Sequence, residues 1–494
     1  MPSPIELPEA SLKPVLDPGF RPPVLANRCF LDRAAEAGGP IVGLAIESGS
    51  GRVYTHETRI FPADHPQAAS NCHYAERLLK FLLWQRGGWK VAISGSDQLA
   101  TELAAIYSSQ GARAFDAEFW GILIHQRPFT IVATDAAPPP REAATSADRI
   151  DRDWSGWRIG FDLGASDRKV AAVLNGKLAL KPDGTPVLSE EFIWDPKPQT
   201  NPDWHYAQIM EILDKARQAI LAVDPTAKIH GIGGSAAGIY VDGQVRVASL
   251  FRGVHPRARF EAEVAPLFRR IQKAWDNIPF RIENDGDVTA LAGAIALGEG
   301  AILGLSMGSS LAAGYVDADQ QIRGWMNELA FAPVDYQPGA AADEWSGDCG
   351  VGANYFSQQA VARLIPKAGL EPEMAGIPAE AIPKRLVRVQ ERMAAGDDRA
   401  AAIYQTIGRY FGYTVAHYCD FYHPVRHIEV LGRVMTGDGG QLILEEARQV
   451  LDREFPKLAT EIAFYEPGER EKRHGQAAAA AYLPATSTDN RDET

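Results

Sequence analysis

Short apolar runs that end in glycine and small polar residues alternate along the chain with stretches where apolar side chains return every three or four positions. The first pattern predicts strands and the second helices, and their interleaving predicts an α/β protein. The clearest strand pattern lies in Trp157–Val173, WRIGFDLGASDRKVAAV. There Ile159, Phe161 and Leu163 alternate with small or polar residues, and a second β-type run starts at Lys169. Gly164-Ala165-Ser166-Asp167 separates the runs, so the stretch reads as a hairpin with a tight polar turn.

Upstream, the proline-rich residues 1–26 read as an extended segment. Gly39 to Phe61 carries two β-type runs around Gly49-Ser50-Gly51, Tyr74 to Gln85 has helical periodicity, and Lys90 to Ser94 is a short strand. Asp97 reads as the N-cap of a helix from Gln98 to Tyr107, and Arg113 to Ala133 as a strand-rich aromatic stretch. Together these predict a small α/β domain over 27–136. Prolines, small residues and charge without an apolar period mark a linker at 137–156.

Downstream, a helix is expected from Trp204 to Val223, followed by a buried strand, IHGIGGS, that leads into Gly234 and Ser235. Asp242-Gly243 marks a hairpin tip, and a long helix is expected from Phe260 to Trp275. A strand at Phe280–Glu283 runs into Asn284-Asp285-Gly286-Asp287 and a small-residue helix. Two further strands flank Gly308-Ser309-Ser310, and residues from Tyr355 onward are mostly helical. A strand at Ile428–Leu431 precedes Gly432, Gly437, Gly439 and Gly440 and a helix from Leu442 to Phe455. Residues 467–494 read as a tail, disordered beyond Tyr482.

Composition narrows the function classes. With 494 residues, 46% hydrophobic and 23% charged, the chain can bury more than one core. A net charge of −13 argues against a nucleic-acid surface as its main business. Cys29, Cys72, Cys349 and Cys419 are scattered without a CxxC pair, as suits reduced thiols. No basic-then-apolar leader and no apolar run of about 20 residues is present, so a cytoplasmic protein without a membrane partner is expected.

Candidate chemistry collects in four loops at strand ends. Gly164 and Ala165 let a phosphate approach the backbone, Ser166 adds a hydroxyl, and Asp162 beside them is suited to hold Mg²⁺ through water, because Mg²⁺ keeps much of its hydration. The others are Asn284–Asp287, Met307–Ser310 and Leu431–Gly440. Such turns make anion cradles, and no P-loop, GxSxG elbow or His/Cys cluster competes with them. The chemistry on offer is that of phosphate, Mg²⁺ and carboxylates.

The order and spacing of GFDLGASDRK, ENDGDVTALAGA, GLSMGSSLAAGYV and VLGRVMTGDGG resemble the actin, hexokinase and heat-shock chaperone ATPase superfamily. Within it, Trp157 to Phe464 is similar to the ROK family of sugar kinases and sugar-responsive repressors. The resemblance implies a two-lobed actin/hexokinase-like ATPase fold preceded by the small α/β domain, with lobes at 157–297 and 298–466. It implies ATP and Mg²⁺ as cofactors, a sugar-like small molecule as substrate, and a homodimer as the common assembly. Asp285 resembles the base that takes the proton of the attacking sugar hydroxyl. Asp162 resembles the Mg²⁺-side aspartate. Gly308, Ser309 and Ser310 match β/γ-phosphate contacts beside Gly164, Ala165 and Ser166, and Gly432 and Gly437 match the wall under adenine and ribose. Gly234, Ser235 and Asn284 are expected on the substrate side.

Two departures stand out. The family's E-x-G-H motif, whose histidine binds zinc and sugar, corresponds to Asn327-Glu328-Leu329-Ala330-Phe331, with Phe331 in the histidine's place. Its cysteine-rich zinc loop corresponds to Gly347–Gly352 and keeps only Cys349, so no zinc site is expected. Trp345, Tyr355 and Phe356 are then the candidates for ordering that loop, and Asn327, Glu328 and Asp343 those for sugar hydroxyls. The repressor branch opens with a helix-turn-helix, whereas this chain opens with β-type runs and has no basic recognition helix, which counts against DNA as a partner. The two readings are thus an ATP-dependent sugar kinase and a nucleotide- or sugar-binding regulator with reduced catalysis.

Overall fold

The computed structural model describes residues 5–136, 138–141, 150 and 154–485, so most of the linker read at 137–156 and the end of the tail lie outside the described residues. The elements of the first stretch are α1 (Pro23–Glu36), β1 (Ile41–Glu47), β2 (Val53–Arg59), α2 (Asn71–Arg86), β3 (Lys90–Ser94), α3 (Asp97–Ile106), α4 (Ala114–Ala117) and β4 (Thr130–Thr134). The middle contains β5 (Trp157–Leu163), β6 (Asp167–Leu174), β7 (Lys177–Leu178), β8 (Ser189–Ile193), α5 (Pro202–Val223), β9 (Ile229–Ala236), β10 (Ile239–Val241), β11 (Gln244–Val247), α6 (Arg257–Arg259), α7 (Leu267–Ala274), β12 (Phe280–Asn284) and α8 (Asp285–Leu297). The rest holds β13 (Ile302–Met307), β14 (Leu311–Val316), α9 (Gln358–Lys367), α10 (Ile382–Ala394), α11 (Asp398–Cys419), β15 (His427–Leu431), α12 (Asp438–Glu454), α13 (Pro456–Glu461), β16 (Ala463–Tyr465) and α14 (Glu469–Ala480). No helix among the described residues is long and apolar enough to cross a membrane.

Contacts divide the chain into two compact units. One comprises Met1–Ala143, Leu305–Ala313 and Trp325–Glu466; the other comprises Ala144–Gly304, Gly314–Gly324 and Pro467–Thr494.

In the first unit, β2-β1-β3-β4 form a sheet in which β1 runs antiparallel to both neighbours and β4 parallel to β3. Three expectations change here. The proline-rich start becomes helical at Pro23 instead of staying extended to Asn27, because a helix's first turn needs no N–H from proline. Ser96, not Asp97, caps α3, its Oγ accepting from Leu99 N at 3.2 Å. Most of the stretch read as strand-rich is helical: Ala114–Ala117 is followed by a π-helix over Glu118–Ile124, and only Thr130–Thr134 is strand. Phe115 and Phe119, four apart, pack on Trp84 at 6.3 Å (stacked) and 4.9 Å (tilted), so packing on one helical face overrides aromatic strand propensity.

Helix α2 is buried along nearly its whole length, including Glu76, Arg77 and Lys80. A helix wrapped in this way is a core element, and residues 27–136, expected as a separate domain, group by contacts with 325–466. Gly408 and Gly412 on α11 let α12 approach until an added Cβ would stand 2.6 Å from Glu446 and Val450. The sheet β14-β13-β15-β16 carries the tip Leu305–Ala313 in this unit.

In the second unit, the order is β12-β9-β5-β6-β7, with β8 also on β6. Strands β12, β9 and β5 run parallel; β6 returns antiparallel to β5, as the hairpin reading required. Ile159, Phe161 and Leu163 enter a core shared with Ile209, Ile212 and Leu213 of α5. The alternate position Gly160 faces the other way, onto α14. An added Cβ at Gly160 would stand 1.8 Å from Ala477 O, and one at Gly233 1.6 Å from Ala480 O. The first part of the stretch read as a tail is thus a helix seated directly on two glycine-bearing strands. The long helix expected over 260–275 is interrupted instead: a π-helix over Phe260–Val264 ends before Pro266, and α7 follows.

Candidate functional site

Three parallel strand ends build the acidic part of the second unit. Asp162 on β5 and Glu283 on β12 are both registered to Ser235 on the strand between them, β9. Ser235 is fully buried and donates its hydroxyl to Asp162 Oδ1 at 2.7 Å. Across the hairpin, Lys169 is the registered partner of Asp162, with its ammonium 3.8 Å from Asp162 Oδ2 and 3.1 Å from Asp167 Oδ1. Burial raises the Asp162 carboxyl above the ordinary aspartate value, and Lys169 and Ser235 offset only part of that. For Lys169 the balance reverses: Asp162 and Asp167 outweigh burial and hold it above the usual lysine value.

Asp285 opens α8. The Asn284 side chain caps that helix by accepting from Gly286 N at 2.7 Å, and its amide donates to Gly238 O at 2.8 Å. Burial, and after it the charge of Asp162, push Asp285 up to about 6. The same two aspartates and Glu283 add to the burial that raises Tyr240 far above its ordinary value. The helix start is clamped from two sides. Gln476 of α14 donates to Asp285 O at 3.3 Å and to Thr289 Oγ1, while Tyr315 N donates to Asp287 Oδ1 at 3.3 Å. Gly314 allows that approach, since a Cβ there would lie 2.2 Å from Gly286 O.

The first phosphate-type turn belongs to this unit as well. Gly164 N donates to Asp167 O at 2.8 Å, Trp194 Nε1 donates to Gly164 O at 2.9 Å, and Ala165 and Ser166 are exposed at the tip. Asp162, Ser235, Asn284 and Asp285 therefore converge. Gly234 is used otherwise: its α-carbon faces the core, where a Cβ would stand 2.3 Å from Phe161. Lys169, Tyr240 and Gln476 were not singled out from sequence. Of these only Lys169 had a signal, the hairpin register that sets it opposite Asp162.

In the first unit, Gly308 N donates to Ser310 O at 2.9 Å and Gly308 O accepts from Gln358 N at 2.9 Å, leaving Ser309 and Ser310 exposed. Gly432 closes on this turn: φ is +108°, ψ is 169°, and an added Cβ would stand 2.6 Å from the Met307 carbonyl. Gly437, with φ +73° and ψ −162°, caps α12 in open space. Both glycines occupy backbone regions that other residues avoid.

The three substrate-side candidates of this unit differ. Asn327 is buried with φ +50°; its Oδ1 accepts from Tyr422 Oη at 2.8 Å and its N–H donates to Gln85 O at 3.0 Å. Asp343 Oδ2 accepts from Trp345 N, Ser346 N and Ser346 Oγ at 3.1, 2.7 and 2.8 Å, so it folds its own loop. Glu328 is half-buried, with its N–H donated to Trp84 O at 2.9 Å. Phe331 stacks on Trp84 at 4.5 Å. Of the aromatics expected to order the loop, Trp345 is 64% exposed, while Tyr355 and Phe356 are buried and Tyr355 Oη donates to Asp335 Oδ2 at 2.6 Å; the loop is also held by Asp348, which pairs with Arg77, Lys80 and Arg113 at 3.2, 3.2 and 2.8 Å. Among the described residues no cluster of three or more His, Cys, Asp or Glu could hold a metal ion.

No protein-family model and no curated protein matches the sequence. Solved structures do match. A ROK family transcriptional regulator, a homolog of the E. coli MLC protein, aligns with TM-score 0.50 and 16% identity over 78% of this chain and 86% of its own. A ROK hexokinase from Thermus thermophilus gives 0.49 and 18% over 66% and 97%. A ROK glucokinase from Streptomyces griseus, solved with glucose and AMPPNP, gives 0.44 and 18% over 67% and 99%. The aligned part of the chain thus has the α/β fold of the ROK family proteins.

Proposed function

We propose that the chain is a member of the ROK family and transfers the γ-phosphoryl group of ATP to a hydroxyl of a sugar-like substrate. The observation that carries this is Asp285, a half-buried carboxyl at a helix start, pushed up to about 6 beside Asp162. A base poised near neutrality suits proton removal from an alcohol. In the reaction Asp285 accepts the hydroxyl proton as the acceptor oxygen bonds to the γ-phosphorus and the bond to the β-phosphate oxygen breaks, releasing ADP. Asn284, tied to Gly238 and Gly286, keeps Asp285 at its place and is the nearest candidate for a neighbouring sugar hydroxyl. Ser166 and the Gly308–Ser310 turn offer exposed hydroxyls and amides to phosphates, and Gly432 and Gly437 offer side-chain-free backbone to the nucleoside. Asp162 adds to the burial that raises Asp285, and Mg²⁺ held through water at Asp162 would relieve that repulsion. Mg²⁺ when bound supplies charge neutralisation of the phosphates.

The test is incubation of the protein with Mg-ATP and a panel of sugars, amino sugars and polyols. Sugar-dependent ADP release that disappears in Asp285→Asn supports the kinase. No release from any acceptor, together with no nucleotide binding, overturns it.

A second reading, a sugar- or nucleotide-binding regulator without turnover, is favoured by one observation. Phe331 stands packed on Trp84 where the family's sugar-binding histidine is expected, while Asn327 and Asp343 are committed to local hydrogen bonds. Binding in calorimetry without turnover by the wild type would select it.

A further inference from the structure

Helix α2 touches both segments that were expected to carry substrate contacts in the first unit. Its last turn accepts the backbone N–H groups of Asn327 and Glu328 through Gln85 O and Trp84 O, at 3.0 and 2.9 Å. The Trp84 ring stacks on Phe331. Two turns earlier, Arg77 Nη1 and Lys80 Nζ each lie 3.2 Å from Asp348 Oδ2, in the loop that Asp343 folds. This contact is a sealed ionic core: Lys80 is 0% exposed and also holds Asp116 at 2.7 Å, Arg77 is paired in bidentate fashion with Glu76 at 2.7 Å, and Arg113 reaches both Glu76 and Asp348. Cys349 N completes Asp348 by donating to its Oδ1 at 2.9 Å.

A helix is stiff, and the eight residue-to-residue steps from Arg77 to Gln85 span about 12 Å of its axis at about 1.5 Å per step. Fixing one loop at each end of such a rod adds a second tie between segments that also meet directly, where Gly352 N donates to Ala332 O at 3.0 Å and Val334 N to Gly350 O at 2.8 Å. Asp348 contributes nothing at its position unless its cations are present, because an unpaired buried carboxylate is strongly disfavoured. The 343–350 loop is therefore held both by local bonds to Gly350 and by side chains, Arg77 among them, that lie about 270 residues upstream in the chain.

We propose that Arg77, Lys80 and Arg113 are positioning residues for substrate: through Asp348 and the α2 backbone they set Glu328 and the 343–350 loop at a fixed separation, without a metal ion. The functional half rests on the kinase reading above; the mechanical half does not. Arg77 and Lys80 divide the load: Arg77 spans Glu76 and Asp348, and Lys80 spans Asp116 and Asp348.

Hydrogen exchange on the full-length protein tests the mechanical half. Lys80→Met and Asp348→Asn are expected to speed exchange at 343–352 and also at the Asn327 and Glu328 amides, which bond α2 carbonyls; EDTA is expected to change neither segment in the wild type. Acceleration confined to 343–352, no change at all, or loss of protection on chelation overturns the proposal. Should Lys80→Met fail to fold, the more peripheral Arg113→Gln gives the same reading with a smaller change. For the functional half, Asp348→Asn is expected to raise KM for the acceptor sugar found in the panel about 10- to 100-fold, with kcat little changed; Arg77→Met is expected to act in the same direction and Arg77→Lys less strongly. An equal fall in kcat with KM unchanged rejects the substrate role. If the panel yields no acceptor, the kinase reading fails while the exchange result still decides whether α2 couples the two loops.

Discussion

The Ser235 hydroxyl donates at 2.7 Å to Asp162 Oδ1 across the parallel pair β9–β5, and both side chains are buried. That bond joins a strand-end aspartate to the neighbouring strand, and through register to Glu283 and the helix start at Asp285. Replacing Ser235 by Ala leaves Asp162 with Lys169 as its remaining counter-charge. The loss of a hydrogen bond to a carboxylate should cost about 1.5–3 kcal/mol of stability in urea unfolding. It should also lower nucleotide affinity measured by calorimetry with Mg-ATP.

Asp285 gives a pH signature. Its carboxyl stands near 6 in the fold against 3.8 for a free aspartate, so the folded state holds the proton more tightly. That contribution to stability is fully present below pH 3.8 and is lost as pH rises through 6. Asp285→Asn should therefore gain on the wild type between those values and keep the gain above them, by about 2–3 kcal/mol at most. In the active enzyme, kcat/KM should rise with pH through an apparent value near 6, the base being competent only when ionised.

Gly432 and Gly437 separate strain from crowding. Both occupy backbone regions almost confined to glycine, but only Gly432 faces an obstacle, the Met307 backbone. Gly437→Ala should cost on the order of 1–3 kcal/mol through strain alone. Gly432→Ala should cost more and should displace the Gly308–Ser310 turn, read as a larger loss of nucleotide affinity for equal loss of melting temperature.

Helix α14 depends on two missing side chains. Gly233→Ala sets a methyl 1.6 Å from Ala480 O, against backbone that cannot yield cheaply. A loss of about 1–3 kcal/mol or more is expected by thermal unfolding. Because Gln476 of the same helix bonds Asp285 O and Thr289 Oγ1, the variant should also shift the pH midpoint of activity.

Much of the second unit was legible in the chain. The alternation of Ile159, Phe161 and Leu163, the small turn at Gly164–Ser166 and the Asn284 cap are local signals, and local signals survive folding because they act within a few residues. Asp162, Ser235, Asn284 and Asp285 meet because each ends or follows one of the three parallel strands β5, β9 and β12. Gly234 lies on β9 beside Ser235 but faces inward, a difference that alternation sets and composition does not show.

What the sequence by itself determined is the α/β class, the strand-end loops and the residues able to do phosphate and carboxylate chemistry, all consequences of short-range periodicity and turn chemistry. What only the tertiary structure decided is the fate of residues whose partners are far along the chain. The alanines of α14 are seated on Gly160 and Gly233, the aromatics of 115–120 became helical around Trp84, and Asp348 found Arg77, Lys80 and Arg113. Burying charge or stacking backbone on glycine is favourable only once the complementary surface exists, and that surface is made by the fold.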